Sequence, residues 1–315
     1  METFDMAKLE ARLLPLDELQ REISELEAGS FLSMDDDELT AKIKRIHEGL
    51  IVRAPSVDAG KIVFRAVKVA ERPATKSKIS YPPAGLVRTN GRVNRPGESI
   101  FYGAFNHFAA CLYECNAQVG DIFAVSAWLT TERMVFNHLG YSPSALQALK
   151  TNRETPFFAI IEDDSDRNRA IREWQARVFT QVVQKGSEST YRLPIALKEY
   201  ALGRIVQGTQ PTSMQFSGLI YPSIAMWQLT DNVAILPSEV DSKMALIEVI
   251  LLVLDHPSRE SLDSSGGMQT HVHIRTYEFA RPDKHGNLAW GQKSQFFRGN
   301  ANFAIEEPLE QLPPE

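Results

Sequence analysis

The hydrophobic period of the sequence changes near residue 60, from the spacing of an amphipathic helix to that of β-strands. In the first fifty residues, Leu16, Leu19, Ile23 and Leu26 lie three or four positions apart, which places them on one face of a helix. Beyond residue 60, short apolar or alternating runs indicate strands, and helical spacings recur between them without a regular order. The strand-like runs are residues 61–69, 99–102, 121–129, 218–221, 232–236, 245–254 and 272–280. This irregular mixture predicts an α+β fold and not a doubly wound parallel sheet.

The same change of pattern divides the chain into three parts. Residues 1–55 are predicted to form a helical arm, whose second helix is capped by Ser33 and carries acidic residues in its first turn. Residues 56–242 form the core, in which Asn106 is expected to cap a helix that runs to residue 116. Residues 243–315 form a β-rich extension that ends in a loose, proline-rich tail.

Composition excludes several classes of protein. The chain has 315 residues and only two cysteines, which excludes a disulfide framework and fits a reducing compartment. Its N-terminus lacks the basic and apolar regions of a signal peptide. Its most apolar stretch, residues 245–254, carries Glu248 and is about half as long as a membrane span. The formal net charge of −6 argues against nucleic acid as a direct partner. We therefore expect a cytoplasmic protein that binds neither membranes nor nucleic acids.

Charge is distributed unevenly along the chain. Residues 1–50 contain 13 acidic and 6 basic side chains, whereas residues 61–95 contain nine basic side chains and one acidic one, Glu71. A concentrated basic segment in an acidic protein suits the binding of a small anion or a phosphate group. The alternative is a solvated surface that only balances charge.

The common catalytic and metal-binding motifs are missing from the sequence. It has no phosphate loop, no dinucleotide-binding glycine motif, no zinc-protease HExxH and no nucleophile elbow. Cys111 and Cys115 share one face of a predicted helix, but two ligands do not make a zinc site, and we interpret them as core thiols. We interpret His271 and His273 as a surface or packing pair on one strand. No metal is expected.

Several short motifs nevertheless occur in a distinctive order. The first motif is the pair Phe64-Arg65 on an early predicted strand. Arg92, Asn94 and Gly97 then mark a turn that leads into an aromatic strand. A helix then ends at Glu114, and much later Tyr221-Pro222-Ser223 precedes Asn232-Val233-Ala234. This order resembles the RES family, which is named for its Arg, Glu and Ser residues. The resemblance covers about residues 60–240.

The chain departs from that family's pattern at two points. Val93 stands where the pattern has an aromatic residue. The 109 positions that separate Glu114 from Ser223 exceed what compact members need, so we expect an insertion around residues 130–190. The first 50 and last 75 residues lie outside the match.

The resemblance implies an enzyme that consumes NAD+ on a core similar to that of ADP-ribosyltransferases. Family members are typically toxins of bacterial toxin–antitoxin pairs, neutralised by a helix-turn-helix antitoxin. They cleave the nicotinamide–ribose N-glycosidic bond with phosphate or water as the acceptor, acting as NAD+ phosphorylases or glycohydrolases. NAD+ is then a substrate and not a cofactor.

The residue chemistry agrees with such a reaction. Loss of nicotinamide builds positive charge on the ribose, which a nearby carboxylate stabilises, and arginine binds the pyrophosphate through two parallel hydrogen bonds. The candidate catalytic residues are Arg92, Glu114 and Ser223. The candidate substrate-binding residues are Arg65, Asn94, Tyr102 and Tyr221.

Each of these residues also has a structural interpretation, and the function has alternatives. In the structural interpretation, Arg92 only holds its turn and Glu114 is a surface carboxylate. Ser223 is then a turn residue and Tyr102 a core aromatic. The alternative functions are protein ADP-ribosylation with NAD+ as donor and a non-catalytic binding protein that retains the fold. The apolar faces of the N-terminal helices must be covered by the core, by a second copy of the chain or by an antitoxin.

Overall fold

A computed structural model describes most of the chain. The described residues are 13–50, 52, 54–148, 154–160, 165–183, 186–203, 216–225, 230–258 and 271–297. The proline-rich tail predicted near the C-terminus and the His271 side chain lie outside them.

Helices and strands alternate irregularly, and the fold is α+β as the sequence predicts. The α-helices within the described residues are α1 (Leu16–Glu27), α2 (Asp36–Ile46), α3 (Phe108–Glu114), α4 (Pro143–Ala148), α5 (Asp166–Thr180), α6 (Arg192–Ala201) and α7 (Pro237–Lys243). The strands are β1 (Ser56–Val57), β2 (Ile62–Lys68), β3 (Phe101–Phe105), β4 (Ile122–Thr130), β5 (Met134–His138), β6 (Gly218–Pro222), β7 (Asp231–Ile235), β8 (Met244–Ser258), β9 (His271–Pro282) and β10 (Leu288–Gln292).

The chain forms two compact units, and each is assembled from separated stretches of sequence. The first comprises residues 1–56, 87–98 and 135–222, and the second comprises residues 57–86, 99–134 and 223–315. These units differ from the division at residues 55 and 242 that the sequence suggests. They differ because residues 135–222 pack with the N-terminal helices, and the C-terminal strands pair with strands of the predicted core.

The second unit is built on an antiparallel sheet with the strand order β7-β3-β2-β4-β8-β9-β10. Strand β2 pairs with β4 along its whole length but with β3 only at Val63 and Phe64. Strand β8 pairs with β4 from Met244 to Val253, so the strands predicted as a C-terminal extension continue this sheet. Helix α3 packs against β2 and β3.

The first unit is mainly helical. Its helices α1, α2, α5 and α6 pack against one another, and Leu19, Ile23 and Leu26 on the apolar face of α1 are buried. The core of the unit therefore covers these three residues, whereas Leu16, at the start of the same face, is exposed. The stretch predicted as an insertion supplies β5, α4 and α5 to this unit, and β5 runs parallel to β6.

Two predicted helix caps are wrong. Helix α2 begins after Asp35 and not after Ser33, because Asp35 and Glu38 form a capping box: Glu38 N–H donates to Asp35 (2.8 Å) and Asp35 N–H donates to Glu38 (3.1 Å). Helix α3 is capped by His107, whose ring nitrogen accepts from the Ala110 N–H at 3.2 Å. Asn106 instead adopts a left-handed backbone conformation. No helix among the described residues is both long and apolar enough to cross a bilayer.

Candidate active site

Helix α3 presents Glu114 at its C-terminal end. The helix has a buried face that includes Phe108 and Cys111, whereas the Glu114 side chain is exposed. Residues in the left-handed region flank the helix on both sides, Asn106 with φ +50° and Asn116 with φ +49°. Asparagine tolerates this conformation better than most residues, so both asparagines allow sharp turns into and out of a short helix.

The carboxylate of Glu114 is held by two hydrogen bonds at the same oxygen. The Ser223 hydroxyl donates to Oε1 at 2.5 Å, and the Asn232 side-chain amide donates to it at 2.7 Å. The second oxygen, Oε2, has no hydrogen-bond partner among the described residues. The structure thus brings together two residues that the sequence proposes as catalytic and leaves one carboxylate oxygen open to a ligand.

The sheet explains how Ser223 and Asn232 reach Glu114. Ser223 follows the last residue of β6, is fully buried, and its backbone N–H donates to Thr230 O at 3.1 Å. Asn232 is buried in β7, opposite Ala104 of β3. Sequence reasoning missed Asn232 as a site residue, although it begins the Asn232-Val233-Ala234 run that follows the Tyr-Pro-Ser motif.

Two thiols attach helix α3 to strand β2. Cys111 Sγ donates to Phe64 O at 3.0 Å, and Cys115 Sγ lies 3.7 Å from Ala66 O. Phe64 is the last residue of β2 that pairs with β3, and Ala66 lies beyond that pairing. Burial raises the pKa of the Cys111 thiol, so it remains a protonated donor at neutral pH. The protein atoms around Cys115 Sγ desolvate it and raise its pKa as well, although the residue as a whole is exposed. The interpretation of Cys111 as a core thiol is confirmed, while Cys115 is exposed.

Arg65 lies on β2 in the same unit as Glu114. Its Nε donates to Ser80 O (2.9 Å), its Nη1 donates to Tyr102 O (2.8 Å), and its guanidinium lies 5.3 Å from the centre of the Phe101 ring. Burial lowers the pKa of this guanidinium. Nη2 has no hydrogen bond to the residues that the structure describes.

Cys115 lies within electrostatic range of both charged groups. Beyond the effect of burial, the Arg65 charge lowers the pKa of the Cys115 thiol and the Glu114 charge raises it. A positive and a negative side chain therefore lie near the end of α3.

Arg92 belongs to the other unit, where it binds the end of helix α5. One terminal nitrogen donates to Phe179 O and the other to Gln181 O (3.0 Å). Its guanidinium also lies over the rings of Phe179 (6.0 Å) and Tyr191 (5.7 Å). A cation at the C-terminal carbonyls of a helix stabilises the helix, and these contacts match the structural interpretation of Arg92.

The remaining candidates occupy backbone turns and the sheet. Asn94 is buried and donates to Thr89 O and Arg95 O, both at 3.3 Å, inside the predicted turn. The Tyr221 ring is buried and packs edge-on against Phe179 at 5.3 Å. Tyr102 lies half-buried on β3 and accepts the bond from Arg65 through its backbone.

Most of the basic segment is engaged by the protein itself. Besides Arg65 and Arg92, the engaged side chains are Lys68 with Asp121 (2.6 Å), Arg72 with Glu278, Lys76 over Trp128 (5.2 Å) and Arg95 with Asp36 (2.8 Å). The exposed remainder comprises Lys61, Lys78 and Arg88. The surplus of positive charge in this segment therefore serves mainly internal contacts.

Within the described part of the chain, no three His, Cys, Asp or Glu side chains gather as a metal site would require. No protein-family model matches the chain, and no curated protein matches it significantly.

Proposed function

We propose that this protein cleaves the nicotinamide–ribose bond of NAD+ on a core similar to that of ADP-ribosyltransferases, as its resemblance to the RES family implies. The observation that carries the proposal is the Glu114 carboxylate, with Oε1 fixed by Ser223 and Asn232 and with Oε2 open. A fixed carboxylate is what a developing ribosyl cation requires, because a preorganised charge needs no reorientation as the reaction proceeds.

The reaction balances without a general acid. The bond between the ribose C1 and the pyridinium nitrogen breaks, and its electron pair stays with that nitrogen, so the cationic ring leaves as neutral nicotinamide. The ribose carbon gains oxocarbenium character, which Glu114 stabilises electrostatically. An oxygen of phosphate then forms the new bond to give ADP-ribose 1-phosphate; with water, ADP-ribose forms and one proton is released.

The neighbouring side chains have separate tasks in this proposal. Ser223 and Asn232 hold the carboxylate, since both donate to it. Arg65 is the stronger candidate for the substrate pyrophosphate, because its Nη2 has no described partner, whereas both terminal nitrogens of Arg92 already donate to carbonyls. Tyr102, which is half-buried in the same unit as Glu114, remains a candidate for packing against the nucleotide.

The family resemblance extends the proposal to the cell. Loss of NAD+ arrests growth, so we propose that the protein acts in the cytoplasm as a toxin and that a helix-turn-helix antitoxin neutralises it. Expression from a tightly controlled promoter should lower cellular NAD+ and stop growth.

Product analysis of the purified protein tests the activity. NAD+ is incubated with the protein in the presence and absence of inorganic phosphate, and the products are identified by mass spectrometry. We expect free nicotinamide together with ADP-ribose 1-phosphate or ADP-ribose. A mass increase on a protein, without either free product, would indicate ADP-ribosyl transfer instead. Unchanged NAD+ in both conditions would contradict the proposal.

A further inference from the structure

Glu248 is a buried carboxylate that has no task in the proposed reaction. It lies within β8, is fully buried, and accepts a hydrogen bond from the Ser294 hydroxyl at 2.8 Å. It also accepts from three consecutive backbone N–H groups, those of Gln295 (2.9 Å), Phe296 (3.2 Å) and Phe297 (3.2 Å). Consecutive N–H groups that converge in this way form an anion-binding nest, which the carboxylate of Glu248 fills.

Arg281 supplies a counter-charge to this carboxylate. Its Nε lies 3.8 Å from Glu248 Oε1, and its Nη2 donates to Lys293 O at 3.1 Å. A buried carboxylate with a nearby guanidinium and four donors is far less costly than an unpaired one. Polar contacts with Glu248 and Arg281 therefore hold residues 293–297 to β8 and β9.

The segment ends by placing an aromatic ring in the core beside the candidate site. Phe297 is fully buried and packs edge-on against Phe108 at 5.9 Å and obliquely against Phe64 at 6.3 Å. Phe108 is the first residue of α3, the helix that ends at Glu114, and Phe64 directly precedes Arg65. Phe297 thus supports the two elements that carry the charged groups of the site.

We propose that Glu248 is a positioning residue: by holding residues 294–297 it seats Phe297 in the core and so fixes α3, with Glu114 at its end. The predicted effect on catalysis rests on the proposed function. The packing of Phe297 in the core, which we call the closure of the core, does not depend on that function. It can be measured without any substrate.

The Cys111 thiol reports this closure. Cys111 is buried in the same hydrophobic cluster as Phe297, and the chain has only one other cysteine. In a Cys115→Ser background, iodoacetamide therefore reacts with Cys111 alone: the deprotonated sulfur attacks the methylene carbon and iodide leaves. Glu248→Gln turns an amide N–H toward the converging donors, so local opening should increase and alkylation should accelerate roughly 10- to 100-fold.

Position 295 offers a matched pair of variants. The Gln295 side chain is exposed, and the residue contacts Glu248 through its backbone N–H. Gln295→Ala keeps that donor and should leave the alkylation rate unchanged, whereas Gln295→Pro removes it and should accelerate the reaction.

A third variant separates local opening from general destabilisation. Val249 is fully buried next to Glu248 in β8, with its side chain on the opposite face of the strand, so Val249→Ala lowers stability while leaving the nest intact. It should accelerate alkylation much less than Glu248→Gln at an equal loss of thermal midpoint. Equal alkylation rates for Val249→Ala and Glu248→Gln would contradict the claim that Glu248 holds the core closed around Phe297. Equal rates for Gln295→Ala and Gln295→Pro would contradict it as well.

Activity then tests the positioning role. At temperatures where the variant is folded, Glu248→Gln should lower kcat for NAD+ cleavage and leave KM nearly unchanged, since Glu248 does not bind substrate. Faster alkylation with an unchanged kcat would overturn the positioning role. If the wild-type protein does not cleave NAD+, the proposed function fails, and the alkylation rates still decide whether Glu248 holds the segment.

Discussion

At the scale of single residues, Glu114 depends on Ser223 and Asn232 for its orientation. Both donate to Oε1, so removing either side chain leaves the carboxylate with one donor and freer to rotate. The Ser223 proton points to Glu114, so Ser223 holds the carboxylate and is not a donor to substrate in this arrangement.

We predict that Ser223→Ala and Asn232→Ala each lower kcat about tenfold, because a hydrogen bond to a charged group contributes ~1.5–3 kcal/mol and Glu114 is exposed. Their effects should not add, since both bonds end on one oxygen. In a Glu114→Gln background, Ser223→Ala should have little further effect. The measurement is kcat and KM across this double-mutant cycle.

Ser242→Ala is the matched control, because the Ser242 hydroxyl is exposed and, among the residues that the structure describes, bonds only Ser238 O in its own helix. It should leave kcat unchanged. Full additivity of Ser223→Ala and Glu114→Gln would mean that Ser223 acts through something other than the carboxylate.

At the scale of elements, helix α3 is too short to be stable by itself and owes its position to its neighbours. Its seven residues are fixed by a His107 cap, by the Cys111 bond to β2 and by aromatic contacts at Phe108. The N-terminal helices of the other unit are fixed differently. His47 is the C-cap of α2. Its two ring nitrogens contact Ile43 O (2.6 Å) and the Gln175 side chain of α5 (2.8 Å).

The His47 contact makes the stability of its unit depend on pH. Burial, chiefly, lowers the pKa of His47 to about 4, since its charged form is poorly solvated there and the Arg167 charge opposes it. Below a pH of about 6.5, the ordinary pKa of histidine, the His47 ring is protonated in the unfolded chain but stays neutral in the folded one. The contribution of His47 to folding is therefore complete above pH 6.5 and is lost as the pH falls toward 4, by about 3 kcal/mol in all.

Urea unfolding between pH 7 and pH 4 measures this loss. His47→Asn should have a flatter pH dependence of the unfolding free energy than the wild type, and His285→Asn, at an exposed histidine, should keep the wild-type slope. Parallel curves for His47→Asn and the wild type would show that this ring does not titrate on unfolding.

At the scale of the whole molecule, local pattern predicts elements, whereas distant pairing determines units and sites. The apolar runs near β2, β4 and β8 are visible in the sequence because buried strands need apolar side chains. The parallel pairing of β5 with β6 has no such signal. The misplaced caps at Ser33 and Asn106 show smaller errors. The capping box of Asp35 and Glu38 is a local signal that the choice of Ser33 overlooked, whereas His107 is not a common capping residue and its role is visible only in the structure.

The candidate site shows the same division. Glu114 and Ser223 follow from the order of motifs, but their contact spans 109 positions and the Asn232 contact spans 118, so neither follows from spacing. The partners of the basic side chains also cannot be predicted from the sequence. Composition shows the surplus in residues 61–95, and only the folded chain shows that Lys68, Arg72 and Arg95 pair with acidic groups.

The rate of NAD+ cleavage by Glu114→Gln, compared with that by Glu132→Gln, tests the central claim most directly. Both substitutions remove one exposed carboxylate from the same unit and keep the size of the side chain, but the Glu132 carboxylate forms no hydrogen bond with the residues that the structure describes. We predict that Glu114→Gln lowers kcat by ~10²–10³, the usual cost of losing electrostatic stabilisation of a transition state, with an unchanged thermal midpoint. Glu132→Gln should retain wild-type turnover. Near-wild-type turnover by Glu114→Gln would contradict the claim that this carboxylate stabilises the ribosyl cation.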